Sequence, residues 1–518
     1  MTSTEVRVKL LGVLSASLLA CSSGSSPAGA APAASAAPGD GGASGPPALV
    51  CHADRPATPF TARADGGAPA AATPPGGKAP VACITLTGQG ASESTLGFAH
   101  DGTVFFGPAT TPHGNGVVRS RDDGKSWEVL VPKFPGGGGH TRLEPYLYVD
   151  PADDHVYFAT SKLVLAGLAT FKDQPGIHLT VSADEGATWS YSDMAPQSRD
   201  WVKIFGGAGP AGSGGSAQHA VYFSSPSPIA GNWGGFFPPP DKQYVYRSLD
   251  AGHTWQPAGT LDLNPANIPG CSATDYVMFG AGVVAPDGTA YLGYRKCTQL
   301  ALAASHDEGQ TWTTLDIPGA ILPVYNATSP LSILGHENAI TGEPVAVDSA
   351  GNLYAVWQGP DDRPYLSVSR DAGATWSAPV VVLDPSLSTS RFVAGAVKTP
   401  GTLAIAYLGS EDGTRFDGYI TETANALDPA PTFWSAPVSE PADPLFPNGF
   451  VSGYDASYFS NGGDAIEFVA VKYSPSGDPW ASFVKNMCPN GTGSCTWDYA
   501  AHASSRFQGA AGILTHPR

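Results

Sequence analysis

The chain has 518 residues, of which only 14% are charged, and it carries 63 glycines and 48 prolines. Lys and Arg number 27 against 45 Asp and Glu, a formal charge of −18, which excludes the clustered basic surface that nucleic acid or anionic lipid headgroups require. So much glycine and proline at so low a charge points to many short strands joined by turns.

Residues 1–20 carry Arg7 and Lys9, an apolar run from Leu10, and the ending Leu18-Leu19-Ala20 before Cys21. That is the layout of a cleaved secretory signal, too short to be a spanning helix. The Leu-Leu-Ala-Cys ending resembles a bacterial lipobox, which implies a lipid on Cys21; an ordinary signal peptide cleaved near Ala20 or later is the alternative. Ser22 and Ser23 follow the cysteine, and the sorting rule for Gram-negative lipoproteins then implies the outer membrane. In a Gram-positive host the lipid would sit in the single membrane. Loss of Glu5, Arg7 and Lys9 with the leader leaves 25 basic against 44 acidic residues, a net charge of −19.

From 21 to 80 the composition falls to Ala, Gly, Pro and Ser, which cannot bury enough apolar surface to offset ordering entropy. This segment is expected to be a disordered tether. Residues 81–518 are too many for one compact core and suit a repeat array. Six cysteines remain after Cys21, an even number that outside the cytoplasm reads as disulfides. Proximity favours Cys488–Cys495 and Cys271–Cys297, leaving Cys51–Cys83 to pin the tether to the body. Their spacing lacks a metal-site pattern, and neither metal nor cofactor is expected.

One eight-residue stretch recurs five times through that array. It reads Ser120-Arg-Asp122-Asp-Gly124-Lys-Ser126-Trp127 at first, and returns around Asp184, Asp250, Asp307 and Asp371 as S-x-D-x-G-x-[ST]-W. An Asp carboxylate can accept backbone N–H groups of its own turn, glycine supplies a left-handed position, and the Trp starts the next strand with a large apolar body. Trp127, Trp189, Trp255, Trp312 and Trp376 lie 62, 66, 57 and 64 residues apart, and the rhythm continues to Trp434 and Trp497. A second marker, a turn followed by an apolar run, also occurs seven times, at Asp101, Asp154, Gln218, Asp287, Gly351, Gly401 and Gly463. Within the best-formed repeat, Pro344–Asp348, Leu353–Gln358, Tyr365–Ser369 and the segment from Thr375 read as four short antiparallel strands. The expected fold is therefore all-β: a seven-bladed β-propeller of four-stranded antiparallel blades. Ile84–Thr87 and the tail from Ala501 are candidates for closing the ring.

The repeated motif resembles the Asp box, or bacterial neuraminidase repeat, of sialidases and of many other β-propellers. The resemblance implies a structural role for Asp122, Asp184, Asp250, Asp307 and Asp371. In such a blade the repeat turns share one face with the first-to-second turns. The inner strands begin at the opposite face, where the insertions Ser224–Gln243 and Asp316–Gly342 also emerge. Loops on a rigid scaffold carry function, so that loop-rich face and its central funnel are the expected site. Around the funnel the inner-strand starts offer His140, Arg142, Glu144 and Tyr146, then Arg199, Asp200 and Trp201, then Asp275 and Tyr276. Glu343, Arg391 with Phe392, and Tyr454 with Asp455 complete the ring, and Trp233 lies on an insertion. Aromatics, carboxylates and arginines together suit a sugar, although each alone also reads as a solvated loop residue or a bond to the next blade.

Sialidases are known for an arginine triad on the substrate carboxylate, a Tyr–Glu nucleophile pair and an Asp acid. Their Arg-Ile-Pro motif is absent here, and seven blades replace six. Arg142, Arg199 and Arg391 are left as a substitute triad, Tyr454 as nucleophile, Glu337 or Glu343 as its base and Asp200 as acid. The expectation is a surface-anchored monomer that recognises a glycan or an extracellular protein and binds no nucleic acid. An exo-acting glycoside hydrolase and an assembly scaffold are the alternatives.

Overall fold

The segment Leu353–Gln358 is buried at every position, as in a strand covered on both faces. Here the cover on each side is a neighbouring blade. A computed structural model of the chain describes residues 49–63, 70–71, 78–91, 93–111, 114–132, 145–161, 177–193, 202–209, 218–226, 242–272, 277–323, 342–448, 469–487 and 507–517. All of them fall in one compact unit, Gly45–Arg518.

Four strands precede the first blade: β1 (Val50–Pro56), β2 (Thr58–Thr61), β3 (Ala70–Ala71) and β4 (Val81–Gly90). Blade 1 is β5 (Thr95–Phe98), β6 (Val104–Thr111), β7 (Gly114–Ser120) and β8 (Glu128–Leu130). Blade 2 is β9 (Tyr146–Val149), β10 (Val156–Ser161), β11 (Ile177–Ser182) and β12 (Ser190–Asp193). Blade 3 is β13 (Lys203–Ala208), β14 (His219–Pro226), β15 (Lys242–Ser248) and β16 (Gln256–Asp262). Blade 4 is β17 (Met278–Val284), β18 (Ala290–Lys296), β19 (Gln299–Ser305) and β20 (Thr313–Ile321). Blade 5 is β21 (Val345–Val347), β22 (Leu353–Gln358), β23 (Pro364–Ser369) and β24 (Val380–Val381). Blade 6 is β25 (Thr389–Thr399), β26 (Thr402–Ser410), β27 (Asp417–Thr423) and β28 (Thr432–Pro437). Blade 7 begins with β29 (Ala470–Tyr473), β30 (Pro479–Asn486) and β31 (Phe507–Thr515). Every described pairing is antiparallel, and within blades 1 to 6 the strands pair in chain order.

Each innermost strand touches the next, from β5 through β9, β13, β17, β21 and β25 to β29, and β29 returns to β5. The seven-bladed propeller is thus a closed ring. Its closure is shared by the two ends of the chain. The fourth strand of blade 7 is β4, paired with β31 from Gln508↔Gly90 to Thr515↔Val81. A pairing between Gly90 and Thr110 then joins blade 7 to blade 1.

The sequence rhythm gives the right count of blades. In blade 7 the inner strand begins at Ala470, and Trp480 lies on the second strand. Trp497, like Gly463, lies outside the described residues. A correction concerns the tether. β1 pairs with β4, and β2 pairs with β28 on the outside of blade 6, so Val50–Thr61 is ordered sheet. Phe60 is fully buried there and stacks on Phe433 at 5.5 Å. The disulfides Cys51–Cys83 and Cys271–Cys297 are both present, while Cys488 and Cys495 lie outside the described residues.

The five repeat turns are near-identical. Ser Oγ donates to Asp Oδ1 at 2.8 Å in all five. The Ser or Thr four residues after the Asp donates its hydroxyl to Asp Oδ2 at 2.6 Å each time. Two successive residues are left-handed: the variable one (Asp123, Glu185, Ala251, Glu308, Ala372; φ 55 to 58°) and then the glycine. That glycine also faces the preceding blade. A Cβ on Gly252 would lie 2.7 Å from Tyr157, and one on Gly373 would lie 2.8 Å from Leu315. The turns therefore lock neighbouring blades as well as reversing the chain.

Candidate functional site

Strand direction puts the starts of the inner strands and the second-to-third connections on one face, the front, and the repeat turns on the back. The connections 133–144, 162–176, 194–201, 227–241, 273–276, 324–341, 449–468 and 488–506 all leave and rejoin strands at the front. One insertion departs from expectation: 210–217 joins β13 to β14 at the back. The expected insertion from Asp316 starts later, because Thr313–Ile321 is strand.

On the axis, the exposed edge of each inner strand carries backbone groups that need partners. The short segment Gly342–Glu343, leading into β21, supplies them for three other blades. Gly342 O accepts from Ala281 N at 3.2 Å, and Glu343 O accepts from Gly395 N at 3.1 Å. The Glu343 side chain accepts from Val471 N at 3.2 Å through Oε2 and from the Lys472 ammonium through Oε1. A side chain at 342 has no room, because a Cβ would sit 2.9 Å from Val469 O and 3.3 Å from Val393 O. Blades 4, 5, 6 and 7 are tied together at this point.

Tyr146 approaches the same carboxylate from blade 2. Burial, then the charge of Glu343, pushes its phenol pKa far up. Lys203 of blade 3 is 1% exposed, with its ammonium 5.2 Å from the Tyr146 ring centroid and 3.3 Å from Val202 O. Tyr146, Lys203, Glu343 and Lys472 thus form a compact axial cluster of alternating character. Sequence reasoning had the Tyr and the Glu but missed both lysines. Their only signal was a lysine inside an otherwise apolar strand start, as in Val202-Lys203-Ile204.

Arg391 lies further out. A register shift in β25 between Arg391 and Ala394 goes with a left-handed Phe392 (φ 58°). The guanidinium Nη1 then reaches Asp362 Oδ1 at 2.9 Å on the β22–β23 connection of blade 5, and donates to Ser390 O and Thr389 Oγ1. Asp417 is pushed up to about 6 by burial, but it sits at the start of a third strand and accepts from Ser439 and Gly418. Arg142, Glu144, Arg199, Asp200, Trp201, Trp233, Asp275, Tyr276, Glu337, Tyr454, Asp455 and Cys21 lie outside the described residues. Among the described residues no group of His, Cys, Asp or Glu could hold a metal ion, and no helix is long and apolar enough to cross a membrane.

A closed ring of seven antiparallel blades, plugged on its axis by the run-in to blade 5, defines this protein as a β-propeller. No family model and no curated protein matches the chain. Solved structures show a partial likeness to the chain. A Hadza microbial sialidase, Hz136, is 16% identical over 67% of this chain and 66% of its own, with a TM-score of 0.36. The NanB sialidase from Streptococcus pneumoniae is 12% identical over 91% and 95%, with a TM-score of 0.42. Trypanosoma rangeli sialidase is 13% identical over 83% and 59%, with a TM-score of 0.37. Likeness at this level carries no inference about chemistry.

Proposed function

We propose that the chain is a surface-anchored, sialidase-like propeller lipoprotein that recognises a glycan or an extracellular partner at its front face without turning it over. The five Asp-box-like turns support the sialidase-like kinship, and the Leu-Leu-Ala-Cys ending supports a lipid on Cys21. One observation carries the preference for binding over hydrolysis. Glu343 and Arg391, the two described side chains to which a hydrolase would give work, are both bonded into neighbouring blades. A carboxylate whose two oxygens already accept an N–H and an ammonium is a poor base.

The hydrolase reading has one point in its favour, a phenol close to a carboxylate at Tyr146 and Glu343. Burial drives that phenol away from the phenolate, the direction opposite to activation. The test is turnover of fluorogenic sialosides, arabinosides and glucosides by the full chain, beside its retention on a glycan array. Retention without release supports the binder; release abolished by Tyr454→Phe would replace it with the hydrolase. Loss of lipid labelling in Cys21→Ser tests the anchor.

A further inference from the structure

One repeat turn differs from the other four. In blades 2 to 5 the Trp indole N–H donates to the carbonyl of its own turn glycine, at 2.9 to 3.1 Å. In blade 1 the Trp127 indole instead donates to Thr85 Oγ1 at 3.2 Å, and that hydroxyl donates to Gly124 O at 2.5 Å. Thr85 belongs to β4, so the closing strand is wedged between the indole and its turn. Beside this wedge a cavity of about 230 Å³ opens at the seam of blades 7 and 1, lined by Leu86 to Gln89 and by Lys125, Ser126 and Trp127.

We infer that this seam is a side-wall binding site for a single pyranose ring, separate from the front face. Its volume is below the roughly 300–1,000 Å³ that houses drug-sized ligands, and suits one sugar unit. Trp127, half-buried with its edge on Phe106, offers a large amphipathic wall. The rim is polar: the Gln89 side-chain amide and the Lys125 ammonium make no hydrogen bond or ion pair among the described residues. The amide both donates and accepts, while the ammonium only donates, so between them they match hydroxyl groups of either role. Asp122 spends its hydrogen bonds on Ser120 and Ser126 and acts on Lys125 only through its charge. In the other four turns the indole closes onto its own glycine, and Thr85 has no counterpart there.

The test uses the full chain and three probes: methyl β-glucopyranoside, methyl α-mannopyranoside and N-acetylneuraminic acid. Binding is read by saturation-transfer NMR and titration calorimetry. At least one probe is expected to bind saturably, and the pair Lys125→Ala with Gln89→Ala to weaken it by at least about tenfold. Neither side chain holds the fold, so the melting temperature should not move; Lys125→Ala alone, at an exposed position, is the second variant and should weaken binding in the same direction. Trp233→Ala, on a front-face connection, should leave this binding within about twofold. No saturable binding of any probe, binding unchanged in the seam variants, or binding abolished by Trp233→Ala overturns the site. Its failure leaves the front-face reading standing, because that reading is tested on retained glycans and not on the seam.

Discussion

Replacing Glu343 with alanine should loosen the ring at its axis. Two partners lose their acceptor. Val471 is buried on the inner edge of β29, and stranding a buried backbone donor costs about 1–3 kcal/mol. The Lys472 side chain is 39% exposed and its ammonium can rehydrate, so the ion pair contributes no more than about 1 kcal/mol. The sum is roughly 1–4 kcal/mol, most of it from the backbone donor. Glu343→Gln keeps an oxygen for Val471 and should cost about 1 kcal/mol, and Lys472→Met less still. The assay is denaturant unfolding of the four proteins of the Glu343→Gln and Lys472→Met cycle together with Glu343→Ala. A Glu343→Ala value within about 0.5 kcal/mol of wild type, the scale of an ordinary surface change, would refute the axial plug. So would a Glu343→Gln loss equal to that of alanine, because the charge rather than the acceptor would then be what matters.

Three further outcomes follow from the seam and the turns. Thr85→Val should destabilise by about 1–3 kcal/mol, because the Trp127 indole and Gly124 O both lose a buried partner, whereas Thr85→Ser should be nearly neutral; thermal melts decide between them. Reduction of Cys51–Cys83, whose sequence separation is 32, should cost roughly 3–4 kcal/mol if loop entropy governs, and peptide mapping without reductant should recover that pair and Cys271–Cys297. His516 bridges Asp478 and Glu422, and bonds to those two carboxylates raise its pKa to about 9. A folded-state value above the unfolded one stabilises the fold fully below about 6.5, and the gain is lost as pH rises through 9. The stability gap between wild type and His516→Asn should therefore be open at pH 6 and closed above pH 9, and a gap that persists there would sink the assignment.

Much of the fold was legible because a blade is a local object. Its strands are short, its second strand is mostly apolar, and five of its turns repeat almost letter for letter. The left-handed residue before each turn glycine was not legible, since Asp123, Glu185, Ala251, Glu308 and Ala372 share a backbone conformation and no side chain. Nor was the order of Val50–Thr61. Its Ala, Gly and Pro surroundings dilute the strand signal, and Phe60 finds its cover on Phe433, more than 370 positions away in sequence. The axial cluster was half legible for a related reason. Tyr146 and Glu343 stand at strand starts where a funnel is expected, but Lys203 and Lys472 gain meaning only when blades 2 and 3, and blades 5 and 7, are brought face to face.

The repeat turn also accounts for where the pattern stops. Each of the five turns packs its glycine against the preceding blade, so the turn is needed wherever one blade must be fastened to the last. Blade 6 makes that fastening with a longer substitute. Thr423 donates to Asn425 Oδ1 at 2.7 Å, Asn425 Oδ1 accepts from Thr432 N, and Arg370 of blade 5 bonds Leu427 O. The Ser–Asp chemistry survives there as Thr–Asn while the spacing is lost, which is why the motif is not visible at that position. Blade 7 has no third-to-fourth turn, because its third strand, β31, follows β30 in the chain while its fourth, β4, precedes blade 1. In place of the turn stands His516, immediately after β31, bonded to Asp478 in its own blade and to Glu422 in blade 6. Tyr473 donates to the other oxygen of that same Glu422. The seam without a turn therefore adds a charged tie to its packing of Val438 and Phe483, and its strength should depend on pH through His516, raised to about 9, as that of blades 2 and 3 should through His219 on Asp150.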